Sequence, residues 1–252
     1  MAEAWAWCLP EAAFDDAPET DTETELDPER RLSVTLREGP GGDPLQVGPS
    51  TLSGPDLGAV MDRLTPMVTG LALTAHRSDL VMFHACAVAD PETGGAVALY
   101  GPSGTGKTTV ARTLCTDLVY LSDETAAVDD DLCVVPYPKP LSVLARPSDA
   151  VKDQVSPGRL GLVRATDRAY PLRGLLQLRR DPAHVGAAVL EPLSTVEALP
   201  ELVAQTSFTR EMTRPLHRLA DLAHRTGGVR RVTYAEAGQL GPVVRAVLDG
   251  EA

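Results

Sequence analysis

The sequence predicts an α/β protein in which a central sheet is flanked by helices. Apolar runs of strand length alternate with segments of helical periodicity from about residue 56 to the C-terminus. A glycine-rich segment separates one such run from one such helix. Aromatic residues make up only 4% of the 252 residues, so leucine, valine and alanine must build the core. Such a core favours helices packed on a sheet.

The first 50 residues form an acidic N-terminal segment with a possible small β-hairpin. Residues 1–30 contain ten acidic side chains and one basic side chain, a local charge of -9 within a total of -12. The alternation of residues 31–37 predicts a strand, residues 39–44 a turn and residues 45–47 its partner strand. The acidic run is interpreted as a solvated tail, with a docking surface for a basic partner as the alternative.

Residues 51–252 are predicted to form the catalytic domain, and their charge of -3 is close to neutral. A helix is expected from residue 56 to 76, interrupted near Pro66. Residues 146–170, rich in proline and glycine, predict a long loop. The remaining predicted strands are 80–89, 96–100, 118–121, 126–135, 141–144, 172–178, 187–190 and 230–234, and the remaining helices are 107–117, 195–205, 209–225 and 235–248.

Composition also limits the compartment and the partners. The excess of acid argues against nucleic acid and anionic membranes as partners. No apolar run approaches membrane-spanning length, no signal peptide is recognisable, and the four cysteines lack metal-ligand spacing. We therefore expect a cytoplasmic protein with reduced thiols. The three lysines, beside twenty arginines, are attributed to genome composition.

The glycine-rich segment fits the phosphate-binding pattern G-x-x-x-x-G-K-[ST] at every fixed position. Glycines let successive backbone N–H groups turn towards a phosphate, and the following helix contributes its positive dipole end. Lys107 would reach the β- and γ-phosphates of ATP, and Thr108 would ligate Mg²⁺. The alternative is a chance glycine turn before a helix. The predicted nucleotide-binding residues are Gly101, Pro102, Ser103, Gly104, Thr105, Gly106, Lys107, Thr108 and Thr109.

A site of this kind needs an acid near the threonine, as a metal ligand or a base. Asp123 and Glu124 directly follow the apolar run 118–121 and are the predicted candidates for both roles. The alternative is a polar strand end that caps a turn. The acidic cluster 129–131 is interpreted as a solvated turn between two β segments.

Several segments together resemble the catalytic domain of HPr serine kinase/phosphorylase. In order along the chain they are HACAVA (residues 84–89), residues 96–100, GPSGTGKTT, LVYLSDE and PYPKPLSVL. The loop and the Ser-Asp-Glu segment are also similar to the nucleotide site of phosphoenolpyruvate carboxykinase. The resemblance covers residues 80–145 well and extends more loosely to residue 250. It implies a central mixed β-sheet, an ATP site, Mg²⁺ and possible homo-oligomers.

The resemblance also implies roles for individual residues. In the family, the first acid of an Asp-Asp pair is the general base on the acceptor serine, and the pair engages Mg²⁺. Asp123 matches the first position, and Glu124 replaces the second aspartate with a side chain one methylene longer. His84 matches a histidine near the catalytic acid, and a structural histidine in a buried strand is its alternative. The implied catalytic residues are therefore Asp123, Lys107 and His84, and the metal ligands are Thr108, Asp123 and Glu124.

The chain departs from the family between residues 146 and 175. It lacks the Glu-x-Arg-Gly signature of the segment that serves the acceptor protein HPr and the reverse dephosphorylation, so neither activity is carried over. What remains resembles short stand-alone HPr-kinase-like proteins, some of which are found in peptide-modifying pathways and phosphorylate serine on a precursor peptide. We therefore expect an ATP- and Mg²⁺-dependent kinase that acts on serine of a peptide or protein. A small-metabolite kinase and a nucleotide-binding regulator or scaffold without phosphotransfer are the alternatives.

Overall fold

A computed structural model describes residues 2–5, 7, 34–35, 46–47, 57–144 and 151–251. The chain divides into two compact units, one of Met1–Ala75 with Pro140–Ser156 and one of His76–Lys139 with Pro157–Ala252. The domain boundary expected at residue 50 stays a prediction. No helix among the described residues is long and apolar enough to cross a membrane.

The described residues form six α-helices and thirteen strands. The helices are α1 (Ala2–Trp5), α2 (Leu57–Ala75), α3 (Lys107–Leu114), α4 (Thr195–Ala204), α5 (Pro215–Arg225) and α6 (Leu240–Asp249). The strands are β1 (Val34–Thr35), β2 (Gln46–Val47), β3 (Val81–Ala89), β4 (Ala96–Tyr100), β5 (Val119–Ser122), β6 (Thr125–Val128), β7 (Val134–Val135), β8 (Leu141–Val143), β9 (Asp153–Val155), β10 (Val163–Arg164), β11 (Leu172–Arg180), β12 (Val189–Leu193) and β13 (Val229–Tyr234).

The first unit contains α2 and two small antiparallel pairs. β1 pairs with β2, as the hairpin prediction requires, and β8 pairs with β9. Helix α2 continues through Pro66, so the predicted interruption is wrong. Met61 and Leu64 of α2 are buried against Val68 and Trp5. The expectation of a long loop over 146–170 fails within 151–170, which hold β9, a 3₁₀ helix (Pro157–Leu160) and β10.

The second unit is built on a nine-stranded mixed sheet, as predicted. Its main path runs β10-β5-β3-β4-β11-β13-β12, and β6 and β7 extend it from β3. β4, β11 and β13 are parallel neighbours, whereas β3 pairs antiparallel with β4, β5 and β6. Parallel strands bring their carboxyl ends to one edge, so the residues that follow β4 lie beside the ends of β11 and β13.

Helices cover both faces of this sheet, which explains why the central strands are continuous apolar runs. One face packs Ala87, Ala98 and Leu175 in a cluster that includes residues of α4 and α5, such as Leu202 and Leu219. Helices α3 and α6 pack on strands β3, β4 and β11. Every residue of β4 is buried, and β3 is buried except at its fourth position.

Candidate functional site

The glycine-rich segment lies between a buried strand and a helix, as its sequence context requires. β4 ends at Tyr100, and α3 begins at Lys107. Gly104 and Gly106 have φ angles of +87° and +89°, which a residue with a side chain adopts only with strain. A Cβ on Gly101 would lie 3.1 Å from the carbonyl oxygen of Leu178 in β11, so the start of the loop is also closely packed. The sequence thus places glycine where the backbone needs it.

Tertiary contacts hold the loop in its curled shape. The Thr105 hydroxyl donates to the carbonyl oxygen of Pro102 at 2.9 Å within the loop. The hydroxyl of Tyr234, the last residue of β13, donates to the carbonyl oxygen of Thr105. Burial raises the pKa of Tyr234 to about 12, so this hydroxyl stays protonated and a donor. The loop is therefore fixed before any ligand arrives, which is the preorganisation that anion binding needs.

Lys107 is the first residue of α3, and its ammonium group lies on backbone carbonyls of the loop. Its Nζ donates to the carbonyl oxygens of Gly101 at 2.7 Å and Pro102 at 3.1 Å. Only 6% of the residue is exposed, and burial lowers the pKa of Lys107. No carboxylate of the described residues lies within 4 Å of this ammonium group. A buried cation without an anionic partner favours a phosphate as its counter-ion.

The carboxylate predicted to complete the site is beside the threonine. The Thr108 hydroxyl donates to Asp123 Oδ2 at 2.9 Å, although 15 residues separate them. Asp123 immediately follows β5, and only 2% of it is exposed. β5 pairs with β3, and α3 packs on β3, so the sheet carries Asp123 to the first turn of the helix. Thr108 and Asp123, two of the three predicted metal ligands, are brought together.

The turn after β5 sets the direction of the acid pair. Ser122 Oγ accepts the backbone N–H groups of Glu124 at 3.3 Å and Thr125 at 3.1 Å. β5 and β6 pair with opposite ends of β3, and the N–H of Ala85 donates to the carbonyl oxygen of Glu124 between them. The turn keeps Asp123 buried, while the Glu124 side chain is 40% exposed.

Lys139 is a site residue that the sequence analysis missed. Its ammonium group lies 3.1 Å from Asp123 Oδ1 and 3.0 Å from Glu124 Oε2, and the side chain is 1% exposed. Burial acts to lower the pKa of Lys139, but the charges of Asp123 and Glu124 outweigh it and the pKa is raised. The residue therefore stays charged. The signal was present in the sequence, since two of only three lysines are at this site.

The chain segment before Lys139 explains how this lysine reaches the acid pair. The N–H of Tyr137 donates to the carbonyl oxygen of Leu121 in β5 at 2.8 Å, so the segment runs along the end of that strand. Proline residues at 138 and 140 restrict the backbone on both sides of Lys139. The Tyr120 hydroxyl donates to Asp123 Oδ1 at 3.1 Å and contacts the carbonyl oxygen of Lys139 at 3.4 Å. Together these contacts fix the lysine and the carboxylate.

His84 occupies the partly exposed position of β3, beside the same residues. Its pKa is lowered by burial and by the charge of Lys107, against the opposing charges of Glu124 and Asp123. The imidazole is thus neutral at pH 7 and lies within electrostatic reach of both the loop lysine and the acid pair. The geometry places all three predicted catalytic residues in one neighbourhood.

The acidic cluster 129–131 and the described cysteines, also considered from the sequence, do not contribute side chains to this site. Asp129 accepts the backbone N–H of Cys133 at 2.7 Å, and Asp130 pairs with Arg218 of α5 at 2.8 Å. The cluster 129–131 thus forms a turn with a surface ion pair. Cys86 and Cys115 are free and buried, and burial raises the pKa of Cys86 to about 12, so this thiol is unreactive.

The donor set at Thr108 and Asp123 fits Mg²⁺. This ion takes oxygen ligands and is usually held by one or two carboxylates together with substrate phosphates and water. Among the described residues no group of three or more histidine, cysteine, aspartate and glutamate side chains could hold a metal ion. A hydroxyl with one carboxylate leaves the other positions of Mg²⁺ to phosphate oxygens and water.

The fold and the site define an α/β protein with a glycine-rich loop at the carboxyl end of a buried strand, next to a buried carboxylate. No protein-family model matches the chain, and no curated protein matches it. Among solved structures it is similar to the Hpr(Ser) kinase/phosphatase from Coxiella burnetii, with 9% identity and a TM-score of 0.34. That match covers 67% of this chain and 94% of the other. At this level the similarity carries no argument.

Proposed function

We propose that the protein is an ATP- and Mg²⁺-dependent kinase that transfers the γ-phosphoryl group to a hydroxyl, most often serine of a peptide or protein. One observation carries the proposal: the hydrogen bond between Thr108 and Asp123 beside the glycine-rich loop. It joins a phosphate-binding loop to a buried carboxylate, the pair that phosphoryl transfer requires. A chance glycine turn would not place a carboxylate there.

Each residue of the site would have a distinct task. The backbone N–H groups of residues 103–108 would hold the phosphates, and Lys107 would exchange its two carbonyl acceptors for phosphate oxygens. Thr108 and Asp123 would hold Mg²⁺, which offsets the negative charge of the phosphates when bound. Lys139 would hold the acid pair in position through its contacts with Asp123 and Glu124. His84, neutral and close by, would help to orient the acceptor.

In the transfer step the acceptor hydroxyl would give its proton to Asp123. Its oxygen would form a bond to the γ-phosphorus as the bond from that phosphorus to the bridging oxygen breaks, and ADP would leave with that oxygen. The proton would stay on Asp123 until it passes to solvent. Most of the rate enhancement would come from positioning and electrostatics rather than from covalent catalysis.

The test is transfer of labelled phosphate from Mg-ATP to a library of serine-containing peptides, including any short peptide encoded beside the gene. The Asp123→Asn variant should retain binding of metal-free ATP and lose at least about 100-fold in transfer rate. The matched control is Asp131→Asn in the exposed acidic turn, which should transfer at the wild-type rate.

The outcomes separate the proposal from its alternatives. Label on serine supports it, whereas label found only on small hydroxyl compounds would make the protein a metabolite kinase. An ATP-dependent rise in melting temperature with no transfer to any acceptor would indicate a regulator or scaffold. Equal transfer by Asp123→Asn and wild type would remove Asp123 from the role of base.

A further inference from the structure

The charges of the site cancel before any ligand is bound. Two buried lysines, Lys107 and Lys139, face two carboxylates, Asp123 and Glu124, in one neighbourhood. The lysines are not equivalent, since Lys139 contacts both carboxylates, whereas the contacts of the Lys107 ammonium group with described residues are to backbone oxygens. Lys139, one positive charge beside two carboxylates, therefore offsets half of the negative charge that would attract a divalent cation, and Lys107 offsets the other half.

Lys139 is held in this position and is not a mobile surface lysine. Its side chain is 1% exposed, and its segment is hydrogen-bonded to the end of β5 through Tyr137. Asp123 Oδ1 accepts from both Lys139 and Tyr120, while Oδ2 accepts from Thr108. Only the side of the carboxylate that faces Thr108 remains for a metal ion, and the ammonium group lies on the other side of the same carboxylate.

The charge of Lys139 has opposite effects on the binding of a divalent cation and on the binding of nucleotide phosphates. A unit positive charge a few ångströms from a divalent cation opposes its binding, strongly so where water is excluded. The same charge favours the polyanionic phosphates of a nucleotide. A free divalent cation therefore meets a neutral cluster. A metal ion that arrives with a nucleotide brings its own negative ligands, and Lys139 then assists binding.

We propose that Lys139 is a resident cation of the acid pair, which excludes a free divalent cation and admits the metal only together with the nucleotide. Lys139 acts through Asp123 and Glu124 and is thus a positioning residue. The inference rests on the proposed nucleotide site. It adds that binding of metal and nucleotide is coupled and that one buried lysine sets the coupling.

The experiment measures binding of Mn²⁺ by electron paramagnetic resonance, with and without ADP, and separately binding of metal-free ADP. Wild type should bind Mn²⁺ at least about tenfold more weakly without ADP than with it. Lys139→Met should bind free Mn²⁺ at least tenfold more tightly than wild type and metal-free ADP several-fold more weakly. Lys139→Arg keeps the charge and should resemble wild type. Lys152→Met, which removes the exposed third lysine, is the matched control.

Thermal unfolding adds a readout that needs no nucleotide. Removing Lys139 leaves two carboxylates without their counter-ion, so Mn²⁺ should raise the melting temperature of Lys139→Met more than that of wild type. If Lys139→Met does not fold, Glu124→Gln tests how the net charge of the cluster affects binding, by removing a negative charge instead of a positive one. That variant gives the cluster a net positive charge and should bind metal-free ADP more tightly than wild type.

The inference and the proposed function fail in distinguishable ways. Equal Mn²⁺ affinity of folded Lys139→Met and wild type, or unchanged binding of metal-free ADP by Glu124→Gln, would overturn the role of Lys139 even if phosphate transfer is observed. Failure of wild type to bind ADP would overturn the nucleotide site. In that case the Mn²⁺ affinities measured without ADP would still report on the charge of Lys139.

Discussion

The two buried lysines of the site have opposite environments. Lys107 rests on backbone carbonyls, and its pKa is lowered, whereas Lys139 pairs with two carboxylates, and its pKa is raised. Burial penalises the charge of both. Of the two, only Lys139 has carboxylate oxygens of the described residues within 4 Å of its ammonium group. Lys107 is thus available to bind an external anion, whereas Lys139 stabilises the fold through its ion pairs.

The largest expected effect is on stability, from removal of the compensated lysine. Lys139→Met should lower the free energy of unfolding by about 3 kcal/mol or more, because it leaves the buried Asp123 unpaired. The partly exposed Glu124 contributes less. Urea denaturation measures the loss, and Lys152→Met should unfold like wild type. A loss under about 1 kcal/mol would mean that the ion pairs with Lys139 do not stabilise the fold.

Removal of the uncompensated lysine should affect binding instead. Lys107→Met is expected to weaken ATP affinity about 100-fold, equivalent to roughly 2.7 kcal/mol, and to change the free energy of unfolding by less than about 1 kcal/mol. Isothermal titration with ATP and urea denaturation provide the two measurements. A loss of stability as large as that of Lys139→Met would contradict the prediction that Lys107 serves binding while Lys139 stabilises the fold.

Through His84, the charge of Lys107 should affect how the free energy of unfolding depends on pH. Burial and Lys107 lower the pKa of His84 in the folded protein, so the unfolded chain takes up its proton first as pH falls below about 6.5. This histidine should therefore make the protein less stable as pH decreases, by at most about 1.4 kcal/mol per pH unit.

Urea denaturation at pH 7.5 and 5.5 should show a smaller decrease for His84→Gln than for wild type. His217→Gln, at an exposed position of α5, is the control. Lys107→Met should also reduce the decrease, because it removes one cause of the shift. An equal pH dependence in wild type and His84→Gln would contradict the assignment.

The smallest effect on the free energy of unfolding is expected from Tyr120, which contacts Asp123 beside Lys139. Tyr120→Phe removes the hydroxyl that donates to Asp123 Oδ1, but Lys139 and Thr108 still contact the carboxylate. The free energy of unfolding should fall by about 1 kcal/mol. A fall as large as that of Lys139→Met, again by urea denaturation, would show that the hydroxyl and not the ammonium group holds Asp123.

Much of this arrangement could be predicted from local sequence patterns. Strand β4, the glycine loop and helix α3 lie where periodicity and the spacing of Gly101, Gly106 and Lys107 place them. Asp123 was found because an acid at the end of an apolar strand is a local signal. Helix α2 was predicted less well, since the expected interruption at Pro66 assumed that local propensity would outweigh the packing of Met61 and Leu64.

Local sequence favours the curled loop, because Gly104 and Gly106 adopt its positive φ angles without strain, and the contact from Tyr234 then fixes that shape. Strand pairing and the return of distant segments determine which side chains surround the loop. The hydrogen bond from Thr108 to Asp123 spans 15 residues, and the return of Lys139 to the end of β5 depends on strand pairing and on the Tyr137 backbone. No local pattern encodes a contact between distant segments. The sequence does not distinguish a buried lysine from an exposed one, because burial depends on which distant segments pack around the side chain.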